Sequence, residues 1–263
     1  MQKLAVVFDS AGTILRTYRV AKDICHGILL KDVLTSDLIM EKCGRALIVP
    51  QLDPKLITSC NPDMPIRTFL DESSIEISCA STPITRERAI EILYNSDTRI
   101  ADVQEAYNAV RAKCPDTYSS AGMIIDVDLS EVAYAISTGG TPFPGLTGVL
   151  NQLRDLEAEI YVASGDSMRG LMHLTDYGIK PDHIYSVANP KRKREIVYKL
   201  KEKYRRVVMV GDGLNDLYAL EAADLGVLTT QQNSCPPNNL IRVADRVIRD
   251  ISELPEFLKG TIA

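Results

Sequence analysis

Apolar residues recur along the chain in two rhythms. LAVVFDS (4–10) is a continuous apolar run that ends at an aspartate, the pattern of a strand covered on both faces in a parallel sheet. AEIYVASGD (158–166), DHIYSVA (182–188) and RRVVMVGDG (205–213) repeat it. The segments between them have helical spacing. In GLTGVLNQLRDLEA (145–158), Leu146, Val149, Leu150, Leu153 and Leu156 fall on one side. SMRGLMHLTDYG (167–178), KREIVYKLKEKY (193–204) and LNDLYALEAA (214–223) also read as helices, and ADLGVLTT and DRVIRDI as short late strands. Strand–helix–strand repetition at this spacing predicts an α/β doubly wound parallel sheet.

The middle of the chain breaks the rhythm. RALIVP (45–50) and SIEISCA (74–80) are strand-like, while ITRERAIEILYNS (84–96) and TRIADVQEAYNAVRAKC (98–114) are helical. The second helix takes Asp97 or Thr98 as its cap and stops before Pro115. About 100 residues is too long for a simple crossover. The stretch 20–119 therefore reads as an inserted α+β domain, with 1–19 and 120–263 as the discontinuous core. GMIIDVDLSEVAYAISTGG (122–140) reads as a hairpin returning the chain to that core.

Composition narrows the function. The 263 residues carry 30 Lys and Arg against 35 Asp and Glu, a formal charge of −5, with no Trp and four Phe. That balance argues against nucleic acid as a partner, either through phosphate attraction or through base stacking. No apolar run approaches the roughly 18–20 residues of a spanning helix, and the N-terminus runs into a strand rather than a signal peptide. Six cysteines without a C-x-x-C pair and three scattered histidines favour reduced thiols over zinc or disulfides. The expectation is a cytoplasmic protein without an integral membrane segment.

Candidate chemistry gathers at the carboxyl ends of the predicted parallel strands, where open α/β sheets form their ligand crevice. The first strand delivers Asp9, the second Ser164, Gly165 and Asp166, and another Asp212, followed by Asn215 and Asp216. Carboxylates brought together from separate strands need a cation, a proton or a lysine between them. An all-oxygen donor set favours a hard ion, Mg²⁺ above all. Asp166, close after Ser164, reads as the cap of the next helix rather than a ligand.

Four stretches resemble the motifs of the haloacid dehalogenase-like (HAD) phosphohydrolase superfamily. They are Asp9-Ser10-Ala11-Gly12-Thr13-Ile14-Leu15, Ser164-Gly165-Asp166, Pro190-Lys191-Arg192-Lys193 and Gly211-Asp212-Gly213-Leu214-Asn215-Asp216. The closest variant is the phosphorylation domain of P-type ATPases: MVGDGLNDLYALEAADLGV (209–227) matches every fixed position of its last motif, and Pro190, Lys193, Ile196 and Val197 fit the preceding one. The insertion sits where that family places its nucleotide-binding domain, but carries no recognisable nucleotide motif. The resemblance implies an HAD-like Rossmannoid core with a cap-like insertion, acting as a Mg²⁺-dependent phosphohydrolase on a small phosphorylated molecule. Asp9 would be the nucleophile. Ser164 would hydrogen-bond a phosphoryl oxygen, Lys193 would neutralise charge, and Ser10, Ala11, Gly12, Thr13, Gly165 and Asn215 would complete the phosphate site. Mg²⁺ would be held by Asp9, the Ala11 carbonyl, Asp212 and Asp216.

Ala11 departs from the family phosphatases, which usually carry a second aspartate there as general acid and base. P-type ATPases have threonine, and phosphonoacetaldehyde hydrolases alanine. Three readings stay open: a phosphohydrolase for good leaving groups (an aryl or acyl phosphate, or a nucleotide), a long-lived phosphoenzyme or phosphoryl-binding regulatory protein, and a phosphonoacetaldehyde-type C–P hydrolase. The last needs a Schiff-base lysine, for which Lys22 and Lys31 are available without distinction. Nine basic residues between 191 and 206 read as a solvated helix face in which Lys193 alone is catalytic. Tyr94 and Tyr107 read as core of the insertion.

Overall fold

The computed structural model describes residues 2–50, 54–72, 75–114, 118–232 and 235–262. In chain order the strands are β1 (Gln2–Phe8), β2 (Leu15–Asp23), β3 (Ile28–Lys31), β4 (Arg45–Pro50), β5 (Ile75–Ala80), β6 (Tyr118–Asp126), β7 (Glu131–Pro142), β8 (Ala158–Ala163), β9 (Ile184–Tyr185), β10 (Tyr204–Gly211), β11 (Leu225–Thr229) and β12 (Arg246–Ile248). The helices are α1 (Thr35–Met40), α2 (Pro54–Ile57), α3 (Arg86–Asn95), α4 (Ile100–Lys113), α5 (Leu146–Asp155), α6 (Met168–Leu171), α7 (Pro190–Lys201), α8 (Leu217–Ala222), α9 (Asn238–Val243) and α10 (Leu254–Ile262). The chain divides into two compact units: one comprises the chain up to Thr17, Thr141–Ser164 and everything from Met172, the other Tyr18–Gly140 with Gly165–Leu171.

The first unit is built on a parallel sheet in the order β12-β11-β10-β1-β8-β9. β1 is its centre, and Leu4 to Phe8 are almost fully excluded from solvent. Alternation explains why a continuous apolar run was needed. Ala5 and Val7 join a cluster with Ile196, Val197 and Leu200 of α7 and Ala219 and Leu220 of α8. α5 buries Leu146, Val149, Leu150 and Leu153 and packs on β8, with α10 beside it.

The second unit is a mainly antiparallel sheet in the order β3-β2-β7-β6-β4-β5. One face carries Ala46, Ile48, Met123 and Ile125 against Ile92 and Leu93 of α3 and Ile100 and Val103 of α4. The other carries Ala21, Ile124, Tyr134 and Ile136 with Ile39 of α1. The α/β parallel core with an inserted antiparallel cap-like sheet is thus the architecture the sequence predicts.

Several expectations need correction. The hairpin at 122–140 does not return to the core: β6 pairs with β4 and β7, extending the inserted unit to Gly140 instead of 119. β2 escapes the pattern because Arg16, Arg19 and Lys22 interrupt it, and β3 because it is only four residues long and exposed at both ends. Lys22 is nonetheless buried, its ammonium held by Glu105 of α4 and the Gly27 carbonyl, partners that local periodicity cannot reveal. The segment 167–178 is not one helix but the short α6 followed by a 3₁₀ stretch, Met172–Tyr177. The strand expected over 182–188 shrinks to two residues, and 214–223 opens as a 3₁₀ turn before α8. α4 is capped at Arg99, one residue beyond Thr98, where the Asp102 carboxylate accepts from the Arg99 N–H at 2.9 Å. Tyr94 and Tyr107 pack within the insertion, as read from the sequence.

Leu150 is fully buried at the centre of the α5 contact. Leu150→Ala should destabilise the protein by about 2–5 kcal/mol, the range for a leucine cavity, measured as a shift of the urea midpoint; a loss below about 1 kcal/mol would show that α5 does not anchor the core.

Candidate active site

Strand register assembles the site. Phe8 stands opposite Val162 on one side and Val210 on the other, so the residues just beyond them, Asp9, Ser164 and Asp212, leave three adjacent strand ends on the same edge. The Asp9 N–H donates to the Val210 carbonyl at 2.8 Å, extending the ladder by one bond and fixing where the side chain starts.

A lysine from α7 meets these carboxylates. Asn189 caps that helix by accepting from the Arg192 N–H at 2.9 Å, and Pro190 occupies its first turn. Lys193 is fully buried, with Nζ 2.7 Å from Asp9 Oδ1 and 2.7 Å from Asp216 Oδ1. The other Asp216 oxygen accepts from the Asp212 and Gly213 N–H groups at 3.1 and 3.2 Å. Burial pushes the Asp9 carboxyl up to about 7, reinforced by the Asp216 charge and opposed by Lys193. Burial works to lower Lys193, but Asp216 and Asp9 outweigh it and hold the ammonium above its ordinary range.

Charge balance tests whether a cation fits. Asp9, Asp212 and Asp216 each offer an oxygen within 4.8 Å of the others, the only such acid-rich cluster among the described residues. One ammonium leaves this group about two charges negative when every carboxylate is ionised. A buried excess of that size is costly, and a hard divalent ion is the matching counter-charge. Asp212, half-exposed, gives the cluster an opening. Gly12 lies against it at φ +81°, and a Cβ there would meet Asp212 Oδ2 at 1.9 Å.

The loop that follows Asp9 is tight: the Ile14 and Leu15 N–H groups both donate to the Ser10 carbonyl, at 3.0 and 2.9 Å. It carries two fully buried hydroxyls, Ser10 Oγ and Thr13 Oγ1, without a hydrogen-bond partner. Buried unpaired hydroxyls cost about 1–3 kcal/mol each, which marks them as groups awaiting a ligand. Ser164 is buried, its backbone tied to the Tyr185 carbonyl at 3.0 Å and to the Ala188 N–H at 2.8 Å. Ala11 is half-buried and Asn215 exposed. Gly165 groups with the second unit, where its carbonyl accepts from Ser78 Oγ at 3.0 Å. At the start of α6, Ser167 Oγ accepts from the Gly170 N–H at 3.3 Å. Lys22 is engaged as described, and Lys31 lies exposed on β3. Two residues absent from the sequence reading bond nearby backbone, Gln231 at Thr13 of this loop and Gln232 at Thr17 of β2. They lie outside every motif, and no periodicity signals them.

Comparison with known proteins places this geometry. The haloacid dehalogenase-like hydrolase pattern matches residues 4–224. A protein of Methanocaldococcus jannaschii described as a soluble P-type ATPase-like phosphatase is 34% identical over 262 residues, 99% of this chain and 94% of its own. A copper-transporting ATPase of Helicobacter pylori is 26% identical over 227 residues, and a probable copper-importing P-type ATPase of Enterococcus hirae 35% over 79. The chain spans only 29% and 11% of those transporters. Among the described residues no helix is long and apolar enough to cross a membrane.

Two outcomes follow from the charge cluster. Gly12→Ala should weaken divalent-cation binding by at least about tenfold in calorimetric titration, because both the left-handed backbone and the Asp212 contact are lost; unchanged affinity would remove Asp212 from the ligand set. Cation affinity should also fall as pH drops below about 7, approaching tenfold per unit, because the ion must displace the Asp9 proton. The same proton makes the ion-free protein less stable as pH rises from the ordinary 3.8 towards about 7, the folded state holding it more tightly than the unfolded chain. An affinity flat from about pH 8 to about pH 5.5 would exclude Asp9 as a ligand.

Proposed function

Because the chain belongs to the haloacid dehalogenase-like hydrolases, we propose that it is a Mg²⁺-dependent phosphohydrolase working through a covalent phosphoryl group on Asp9. The observation that carries this reading is the buried Lys193 ammonium bonded to both Asp9 and Asp216, beside the unpaired hydroxyls of Ser10 and Thr13. The M. jannaschii relative described as a phosphatase supports it.

In the proposed reaction an Asp9 carboxylate oxygen forms a bond to phosphorus while the bond to the leaving oxygen breaks, its electron pair departing with that oxygen. Water then attacks the phosphorus of the acyl phosphate, inorganic phosphate leaves, and the Asp9 carboxylate is regenerated. Lys193 holds the attacking oxygen and compensates charge that builds on the phosphoryl group. Ser10, Thr13 and Ser164 offer hydroxyl donors; Gly12, Gly165, the Ala11 backbone and Asn215 complete the phosphate site. Asp9, Asp212, Asp216 and the Ala11 carbonyl are the residues that would hold Mg²⁺, which when bound supplies further positive charge to the phosphoryl oxygens.

Ala11 selects the substrate class. It cannot give a proton to the leaving oxygen, help typically worth about 10²–10⁴-fold. The favoured substrates are therefore those whose leaving groups depart unprotonated: aryl phosphates, acyl phosphates or the phosphoanhydride of a nucleotide. Ala11 equally favours a second reading, a phosphoenzyme or phosphoryl-binding regulatory protein that turns over slowly.

Purified protein should release p-nitrophenol from p-nitrophenyl phosphate with Mg²⁺ and not with EDTA, and Asp9→Asn should reduce this to background. Tight capture of beryllium fluoride with negligible turnover would instead establish the second reading. Neither turnover nor capture would refute both. Ala11→Asp should raise hydrolysis of alkyl phosphates by about 10²-fold while altering aryl phosphate hydrolysis much less; no rise would show that proton transfer does not limit the reaction.

A further inference from the structure

The loop after β11 carries two adjacent glutamines, Gln231 and Gln232, whose amides reach the chain between Thr13 and Thr17. Gln231 Nε2 donates to the Thr13 carbonyl, while its Oε1 accepts from the Ile251 N–H at 3.0 Å. Gln232 Oε1 accepts from the Thr17 N–H at 2.8 Å, and its Nε2 donates to the Thr17 carbonyl at 3.0 Å and to Thr17 Oγ1 at 2.8 Å. One side-chain amide thus satisfies both backbone groups of Thr17, as a neighbouring strand would. Between these two points the Ile14 carbonyl accepts from the Phe143 N–H at 3.0 Å, and the Leu15 carbonyl from Gly12 N–H at 2.8 Å. Thr17 is the last residue of the first unit before the chain enters the insertion.

We infer that Gln231 and Gln232 form a side-chain clasp that positions the Gly12–Thr13 turn for phosphoryl transfer. This deepens the function proposed above and, as to its catalytic consequence, rests on it. The physical logic is one of defined geometry. Gly12 must hold φ +81° against the Asp212 carboxylate, and Thr13 must aim a buried hydroxyl that has no protein partner. Neither group is held by a bond of its own side chain. The backbone that carries them is held at Ser10 on one side and by the two glutamines on the other. Gln231 ties that backbone to Ile251, which follows β12 and is fully buried, so a rigid part of the core sets the turn. A displacement near 1 Å in such a loop is enough to cost about 10²-fold in rate.

The decisive substitution is Gln231→Glu, which keeps the volume and the acceptor for Ile251 but cannot donate to the Thr13 carbonyl when ionised. Three measurements are made on the full chain: hydrogen exchange of the peptide covering residues 9–17, kcat and KM for p-nitrophenyl phosphate with Mg²⁺, and the melting temperature. The clasp predicts that exchange in 10–17 speeds up while β1 stays protected. It also predicts a fall in kcat of at least about tenfold with KM changed less than about threefold. Lowering the pH should bring the variant closer to the wild type at the same pH, as the new carboxyl regains a proton to donate. Gln232→Ala should speed exchange at Thr17. Unchanged exchange in 10–17 for both variants overturns the clasp, whether or not the wild type hydrolyses anything. Faster exchange with kcat equal to that of an active wild type overturns the positioning role. A wild type without turnover refutes the proposed function instead, and the exchange measurement still decides the clasp. Should Gln231→Glu fail to fold, Gln231→Met, of similar volume and without a donor, takes its place under the same criteria.

Discussion

One ammonium group balances the centre of this molecule. Lys193 is fully buried with two carboxylates 2.7 Å from its nitrogen, and Asp212 adds a third negative charge nearby. Removing one partner of such a buried pair typically costs about 3–5 kcal/mol, since the survivor keeps its desolvation without compensation. The lysine therefore stabilises Asp9 as an anion at the expense of demanding the rest of the cluster. It leaves an excess of negative charge that a divalent cation matches, which ties the fold of the core to the ion it can hold.

Everything that brings these groups together is backbone geometry. The pairing of β1 with β8 and β10 sends Ser164, Asp9 and Asp212 from neighbouring strand ends. The capped first turn of α7 aims Lys193 inward from outside the sheet. Two positions leave no room for side chains: Gly12 against Asp212, and Gly211, where a Cβ would lie 2.5 Å from the Asp216 carboxyl carbon. The buried hydroxyls of Ser10 and Thr13 have no hydrogen-bond partner in the protein. Unpaired hydroxyls beside a buried ammonium suit an oxyanion, and Ala11 carries no group that could move a proton.

The core was legible because its strands obey local rules. A run buried on both faces has to be continuously apolar, so Leu4–Phe8 and Val207–Val210 announce themselves, and the carboxylates that end such runs lie at predictable strand ends. The insertion was legible only in part. RALIVP coincides with β4 to the residue, yet β2 is hidden from its own pattern because its charged residues find partners far away, as Lys22 does with Glu105. The spacing over 122–140 shows a hairpin but not the sheet it joins, since strand alternation carries no information about which neighbours complete the ladder.

The sequence alone supplied the candidates: residue type and position within single elements mark the carboxylates Asp9, Asp212 and Asp216 and their all-oxygen donor set, while the roles expected of Ser164, Lys193 and Ala11 rest on the resemblance to the haloacid dehalogenase-like motifs. Tertiary structure decided what depends on partners distant in the chain. It set the boundary of the insertion at Thr17 and Gly140, the charge balance around Lys193, and the reach of Gln231 and Gln232 across more than 200 residues to Thr13 and Thr17. A glutamine in a loop has no period and no motif; only the backbone groups it finds after folding give it a role.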